Sequence, residues 1–259
     1  MPFTVSHVAA ALPFRRTGLV YSAVIVGTVA PDFEYFLRMA PQSFYGHRFP
    51  GIFTLTLPLA HAVLWLFHRF VKHPLVQLLP EAVGRRVELS SGSFQFGGAR
   101  RFALIVGSTL VGIATHVAWD SFTHPSGWLY LHWDFLSHPV AISTLATLQV
   151  YKTLQYGCSV LGLGILAFSL LRWYRETRPA EPQGDRGLQP ARKVSILLLV
   201  VCVALAGAFF RAVMRAGVPS LRPMNKAFGV VFIVTMIGLL WWELLIYGFM
   251  WTQTTKSEG

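Results

Sequence analysis

The chain has 259 residues, of which 54% are hydrophobic and only 13% charged, with a mean hydropathy of +0.52. Soluble globular chains carry about 25% charged residues, so neither a disordered chain nor a water-soluble fold accounts for the whole sequence. Lysine and arginine outnumber aspartate and glutamate by 22 to 11, but these cations stand between apolar runs, where they set membrane topology and give no sign of nucleic-acid binding.

In chain order, residues 8–14 form a short apolar stretch followed, not preceded, by Arg15 and Arg16, which excludes a secretory signal. Ser6 is a candidate N-cap for this stretch. Spans need about 20 apolar residues, and six runs qualify: 19–37, 51–70, 102–122, 153–173, 194–211 and 229–250. Pro31, Asp32 and Glu34 interrupt the first, so with residues 6–14 it reads as a helical hairpin partly sunk in the membrane or as a bent span. Pro58 is expected to kink the second. Cys158 and Cys202 each lie within an apolar run, which leaves no disulfide framework and no cysteine metal site. Gly162 and Gly164 read as helix packing. The expected fold is an all-α polytopic membrane bundle of about six long helices plus a short amino-terminal helix.

With six spans, fifteen of the 22 basic residues fall on one side and seven on the other. The positive-inside rule then places both termini, Arg85 and Arg186 in the cytoplasm and Trp128 outside. The expected location is the bacterial inner (cytoplasmic) membrane, crossed several times. Residues 175–191 form a polar linker rich in Pro and Gly. It divides a metal-site membrane domain, 1–174, from a carboxyl-terminal transmembrane hairpin, 192–259.

All nine histidines precede residue 139, so the front part is the one equipped for chemistry. His116, Asp120 and His124 are four apart at the end of the third span, hence on one helix face. At 1.5 Å per residue, His116 and Asp120 can hold one ion together, whereas His116 and His124 are about 12 Å apart on a straight helix. Pro125 disfavours helix at His124, so His124 turns back or serves a second ion. Ser108 and Gly112 continue the same face with small side chains that let another helix come close. Asp32 and His47 flank one outward loop, and the hairpin reading returns His7 to the same side. His7, Asp32, His47, His116 and Asp120 are therefore the candidate ligands of a divalent metal. Mixed imidazole and carboxylate donors suit zinc best, with manganese or iron as alternatives. Taken singly, each has a plainer reading: His7 as a helix-start residue, Asp32 as a loop start, His47 as an interfacial residue. His61 and His68 read as packing residues outside the first shell. Glu34 pairs with Arg38, four residues on, in its plainer reading. Trp128, Tyr130, His132 and Trp133 read as an interfacial aromatic belt. Glu243, alone at membrane depth in the rear hairpin, has Arg211 as a candidate partner.

The opening Met1-Pro-Phe-Thr-Val-Ser-His7, the stretch Ala30-Pro-Asp-Phe-Glu-Tyr-Phe36, the stretch from Thr115 to Pro125 and Tyr151-Lys-Thr-Leu-Gln-Tyr156 resemble a bacterial membrane family of unknown function, number 4184. The order of His, Pro-Asp, His and His-x-x-x-Asp is also similar to that of a broader group labelled membrane-bound metal-dependent hydrolases. That group carries Pro-Asp-x-Asp and Thr-His-Ser, where this chain has Glu34 and Gly46-His47-Arg48. The resemblance implies hydrolysis; the side counting puts the site at the outer membrane–water face, and its depth there favours a lipid-like or membrane-delivered substrate, with a phosphoester or acyl group as the bond cleaved and membrane lipid as the partner. His124 or Glu34 is then the candidate general base. The competing readings are metal binding without catalysis and an accessory membrane protein whose polar cluster is satisfied by hydrogen bonds alone.

Overall fold

The computed structural model describes residues 3–90, 94–143, 146–181, 188–216 and 226–257. The fold is all-α. A 3-10 helix, Thr4–Arg16, leads into α1 (Tyr21–Val29), a 3-10 turn (Ala30–Asp32) and α2 (Phe33–Arg38). There follow α3 (Phe49–Leu78), α4 (Glu81–Ser90), α5 (Ala99–Thr123), α6 (Trp128–His132), α7 (Val150–Glu176), α8 (Pro190–Ala216) and α9 (Lys226–Ser257). Between α6 and α7, β1 (Pro139–Ser143) and β2 (Ala146–Gln149) pair antiparallel. This small hairpin has no counterpart in the sequence reading; Val140, Ile142 and Thr147 supply its β-branched residues.

Among the described residues five helices, α3, α5, α7, α8 and α9, are long and apolar enough to cross a membrane. The chain is a multi-pass membrane protein. The long-helix count is thus five and not six, because Pro31 falls where the first run would have to continue. That run is cut into α1, of nine residues, the turn and α2, of six. Nine residues rise only about 14 Å, half of a hydrocarbon core about 30 Å thick.

The chain forms two compact units that interleave along the sequence. One comprises Met1–Asp32, Tyr45–His61 and Gln95–Arg175; the other comprises Phe33–Phe44, Ala62–Phe94 and Glu176–Gly259. Residues 182–187 of the expected linker, Arg186 among them, lie outside the described residues.

In the first unit, α1 packs along α5. Val20 N–H, at the start of α1, donates to Ser108 Oγ (2.9 Å), and His116 Nδ1 meets the Thr28 carbonyl (2.7 Å) further along both helices. The two helices therefore run parallel. Between these points Gly27 and Gly112 face each other, backbone against backbone. A Cβ on Gly112 would stand 2.8 Å from Gly27 Cα and from Thr28 N. The 3-10 helix runs back against α1, and its start returns to the end of that helix, where Thr4 Oγ1 donates to Asp32 Oδ2 (2.6 Å). Ser6 does not cap it: the helix starts at Thr4 and the Ser6 hydroxyl donates back to the Phe3 carbonyl (2.7 Å). Phe3 N–H donates to Ser159 Oγ on α7, and Gly162 of α7 admits the Ser6 backbone, while Gly164 faces open space. Phe3 to His7 thus share the end of α5 that carries Asp120, opposite to Arg100 and Arg101. The expectation that the amino terminus lies with the basic loops does not hold for Arg100 and Arg101, because the 3-10 helix folds back along α1.

Pro58 acts as expected, through a defined device. Residues Ile52–Thr56 are π-helical, with Leu57 N–H bonded to the Ile52 carbonyl. A wide turn before a proline absorbs the lost hydrogen bond without breaking the helix. A second π segment, Phe67–Val71, precedes Pro74 in the same way.

In the second unit, α8 and α9 pack through Ala204, Ala208 and Ala212 on α8, with Phe228 and Val231 on α9. The end of α2 is closed by Met39 at φ 49°, with Met39 N–H on the Phe36 carbonyl and Ala40 N–H on the Tyr35 carbonyl. Arg211 donates to the Arg38 and Met39 carbonyls (3.1 and 3.0 Å) and so supports this turn. It is not the partner of Glu243, whose carboxylate has no hydrogen bond among the described residues.

Candidate metal centre

The site is built at the end of α5 in the first unit. His116 and Asp120 lie one turn apart on the face that packs α1. His116 Nε2 stands 3.2 Å from Asp120 Oδ2. The 3-10 turn after α1 brings Asp32 beside them, with Oδ1 3.7 Å from His116 Nε2. His47, from the loop before α3, enters from a third direction. Its Nε2 is 3.2 Å from His116 Nε2, 3.4 Å from Asp32 Oδ1 and 3.4 Å from Asp120 Oδ2. His7 stacks on His116 with ring centroids 4.1 Å apart and places Nε2 3.4 Å from Asp120 Oδ1. All five sequence-predicted ligands converge.

His124 joins them. It ends the helix in an extended conformation (φ −127°, ψ 143°), as the following Pro125 requires. Its Nδ1 turns back to Asp120 Oδ1 at 3.3 Å. Glu34 is not brought in. It belongs to the second unit, where its carboxylate takes Arg38 Nε (3.0 Å), Ser43 Oγ (2.8 Å) and Phe44 N–H (3.1 Å). These bonds make the carboxylate a loop anchor, with the expected Arg38 pair among them. His61 bonds the Leu57 carbonyl through Nδ1, and His68 stacks on Phe94.

These groups have the chemistry of a cation site. His7, Asp32, His116 and Asp120 are buried. His7 Nδ1 and Nε2, Asp32 Oδ1 and Asp120 Oδ1 are shut off from solvent without a hydrogen bond. Buried polar atoms are rarely left so. Donors around a tetrahedral ion with bonds near 2.0–2.1 Å are about 3.3 Å apart, and the separations here run from 3.2 to 3.7 Å. The groups His7–His116–Asp120 and Asp32–His47–His116 each meet the spacing that one ion needs. Buried His/Asp clusters able to hold a metal ion are therefore a property of this structure.

Electrostatics agree. Burial, with His116 beside it, pushes His7 down from 6.5 to about 4, which leaves the ring neutral and its lone pair free at neutral pH. Burial works to lower His47 as well, but the Asp120 and Asp32 carboxylates outweigh it and raise His47 to about 9. For Asp32, burial is outweighed by His47 and His116, and the carboxyl is held below its ordinary value.

Several supporting groups escape sequence reasoning. The Thr28 carbonyl fixes His116 with Nε2 toward the cluster, a role of backbone that no side-chain pattern signals. Thr4 orients Asp32. Trp119 packs its ring at 5.2 Å from His7. Gln155 Nε2 donates to the Thr123 carbonyl (3.2 Å) and is itself bonded to Lys152, bracing the turn that carries His124. Gln155 and Lys152 stand in one of the stretches that carry the family resemblance, which was their only signal.

No curated protein and no solved structure matches the chain. A family model does: the one described as Domain of unknown function (DUF4184) covers residues 1–249, nearly the whole length, and the chain belongs to that family.

Proposed function

We propose that this protein is a metal-dependent hydrolase of the bacterial inner membrane, acting at the outer membrane–water face on a phosphoester or acyl bond of a lipid-like substrate. The observation that carries the reading is the buried cluster of imidazoles and carboxylates with donor atoms at ion-shell spacing. Intramembrane ionisable clusters are expensive and mark functional sites. The similarity to the membrane-bound metal-dependent hydrolase group points the same way.

Zinc suits the mixed nitrogen and oxygen donors best. A divalent cation supplies Lewis acidity, lowering the pKa of water and polarising a phosphoryl or acyl oxygen. The chain does the rest. Asp32, His47, His116 and Asp120 hold the cation. The Thr28 carbonyl and the Thr4 hydroxyl fix the ring of His116 and the carboxylate of Asp32. The cluster opens to solvent on the side of His47 and His124, where the attacking water enters and its proton leaves. Substrate arrives from the lipid side of the same end. Trp128 and Trp133, 65% and 54% exposed, follow directly on α5 and form an apolar, aromatic surround, the kind that membrane interfaces favour.

The test is a turnover screen on detergent-purified protein with chromogenic phosphoesters, acyl esters and phospholipid in mixed micelles. Activity should vanish with chelator, return with zinc or manganese, and be absent in His116→Ala. Bound metal without turnover on any of these would leave metal binding alone as the function. Purified protein without metal, and unable to take it up, would leave the accessory reading.

A further inference from the structure

We infer that the cluster is a two-cation centre bridged by Asp120; this rests on the metal-site reading above and deepens it. The two oxygens of Asp120 face different partners. Oδ2 looks toward His116 Nε2 (3.2 Å) and His47 Nε2 (3.4 Å). Oδ1 looks toward His7 Nε2 (3.4 Å) and His124 Nδ1 (3.3 Å). A carboxylate in contact with four imidazoles, two on each oxygen, has more donors around it than one small ion accepts.

A tetrahedral ion takes four donors. Asp32 Oδ1, His47 Nε2 and His116 Nε2 lie together at ion spacing, with Asp120 Oδ2 at 3.2 and 3.4 Å from His116 and His47, and two carboxylates balance one divalent cation. His7 Nε2, Asp120 Oδ1 and His124 Nδ1 are left over. Two of these three, His7 Nε2 and Asp120 Oδ1, are buried and without a hydrogen bond. His7 is buried with neither ring nitrogen in a hydrogen bond among the described residues, and Nε2 is turned to Asp120 Oδ1. Ligation of a second ion gives both atoms a partner.

The geometry of the pair follows from the chain. His116 Nδ1 is tied to the Thr28 carbonyl, so only Nε2 can ligate, and it lies closest to the first set. His7 stacks on the His116 ring, while His47 meets that ring at Nε2. The second position meets solvent on the side of His124, which is partly exposed. It has three protein donors, which leaves room for water or substrate, as catalytic positions require. Two-cation sites typically hold their ions about 3.5–4 Å apart and grip both the attacking and the leaving oxygen of a displacement. Zinc or manganese fits both sets. The assignment makes His124 a ligand and not a proton acceptor.

The experiment loads detergent-purified, chelator-stripped full chain with manganese. It measures metal per chain and the electron paramagnetic resonance spectrum. The wild type should bind two equivalents and show a spin-coupled pair. His7→Ala and His124→Ala should each bind one equivalent and show an uncoupled signal. His124 is partly exposed, so its variant is expected to fold, and the wild-type stoichiometry is informative by itself. One equivalent in the wild type, or two retained in His124→Ala, overturns the two-cation centre while leaving a one-ion hydrolase standing. Two coupled ions without turnover sink the hydrolase reading and keep the centre. No manganese bound at all sinks both.

Discussion

Gly112→Ala tests the site without touching a ligand. A Cβ at this position would lie 2.8 Å from Gly27 Cα and Thr28 N, and closer still to the Val24 carbonyl. Carbon atoms rest at about 3.5–4.0 Å, so α1 must retreat from α5 by about 1 Å. These neighbours are backbone atoms, which do not rotate away. α1 carries the Thr28 carbonyl that fixes His116 at 2.7 Å and leads directly into Asp32. Metal–ligand distances tolerate only about 0.2 Å, so the shift is several times what the donor set absorbs. Overpacking of this kind costs about 1–3 kcal/mol of stability, and loss of outer support lowers metal affinity about 10- to 100-fold. The assay pairs thermal unfolding in detergent with a competitive zinc titration. Gly107→Ala is the internal control: it lies on the same helix, its Cβ meets nothing within 4 Å, and it should stabilise by up to about 1 kcal/mol as a helix-interior glycine replaced by alanine. Unchanged affinity in Gly112→Ala, with a melting point at or above that of the wild type, would refute the claim that α1 positions the centre.

Thr4→Val removes the hydroxyl that orients Asp32 and should weaken zinc binding about 10-fold or more, while Thr4→Ser should restore it; equal affinity in both variants would show that the hydrogen bond has no orienting role. His47 stays protonated up to about pH 9 in the metal-free protein, so ligation must expel that proton. Apparent affinity should rise with pH below about 9, by up to about 10-fold per unit, and flatten above it. Calorimetry in two buffers of different ionisation enthalpy counts the released proton, and zero release contradicts the assignment of His47 as a ligand. Glu34→Gln should lower stability by about 1–2 kcal/mol through weaker bonds to Arg38, Ser43 and Phe44, with metal content unchanged; loss of metal would return Glu34 to the site. Single cysteines at Arg100 and Trp128, at opposite ends of α5, should label differently in intact cells. Labelling of position 100 by an impermeant reagent would reverse the proposed orientation.

The sequence carried the centre unusually well, for a physical reason. Ionisable side chains at membrane depth are so costly that they are rarely present without a role, and four-residue spacing on α5 fixes which of them share a face. Convergence of His7, Asp32 and His47 followed from side counting, because each sits next to an end of an apolar run. The count of spans was less legible. The run 19–37 has spanning length, and only Pro31 and its acidic neighbours show where it breaks. Glu34 was legible as a partner of Arg38, but its bonds to Ser43 and Phe44 were not, since these come from a loop nine and ten residues on. The β1–β2 hairpin and the second π segment left no pattern strong enough to separate them from loop and helix.

One face of α5 receives the amino-terminal hairpin and satisfies its turn. A chain that enters the hydrocarbon halfway and returns must satisfy its turning backbone inside, since water is absent there. Val20 N–H, at the start of α1, finds Ser108 Oγ, and Thr17 N–H finds the Phe14 carbonyl. Gly112 then lets α1 lie against α5 at backbone contact, and one turn later His116 takes the Thr28 carbonyl. Ser108, Gly112, His116 and Asp120 are successive members of a single i, i+4 ladder. The lower two receive the hairpin; the upper two receive what the hairpin delivers, Asp32 and His7. Burying the donors and admitting the hairpin are therefore one requirement on one helix face, which is why a change at Gly112 must be felt at Asp32.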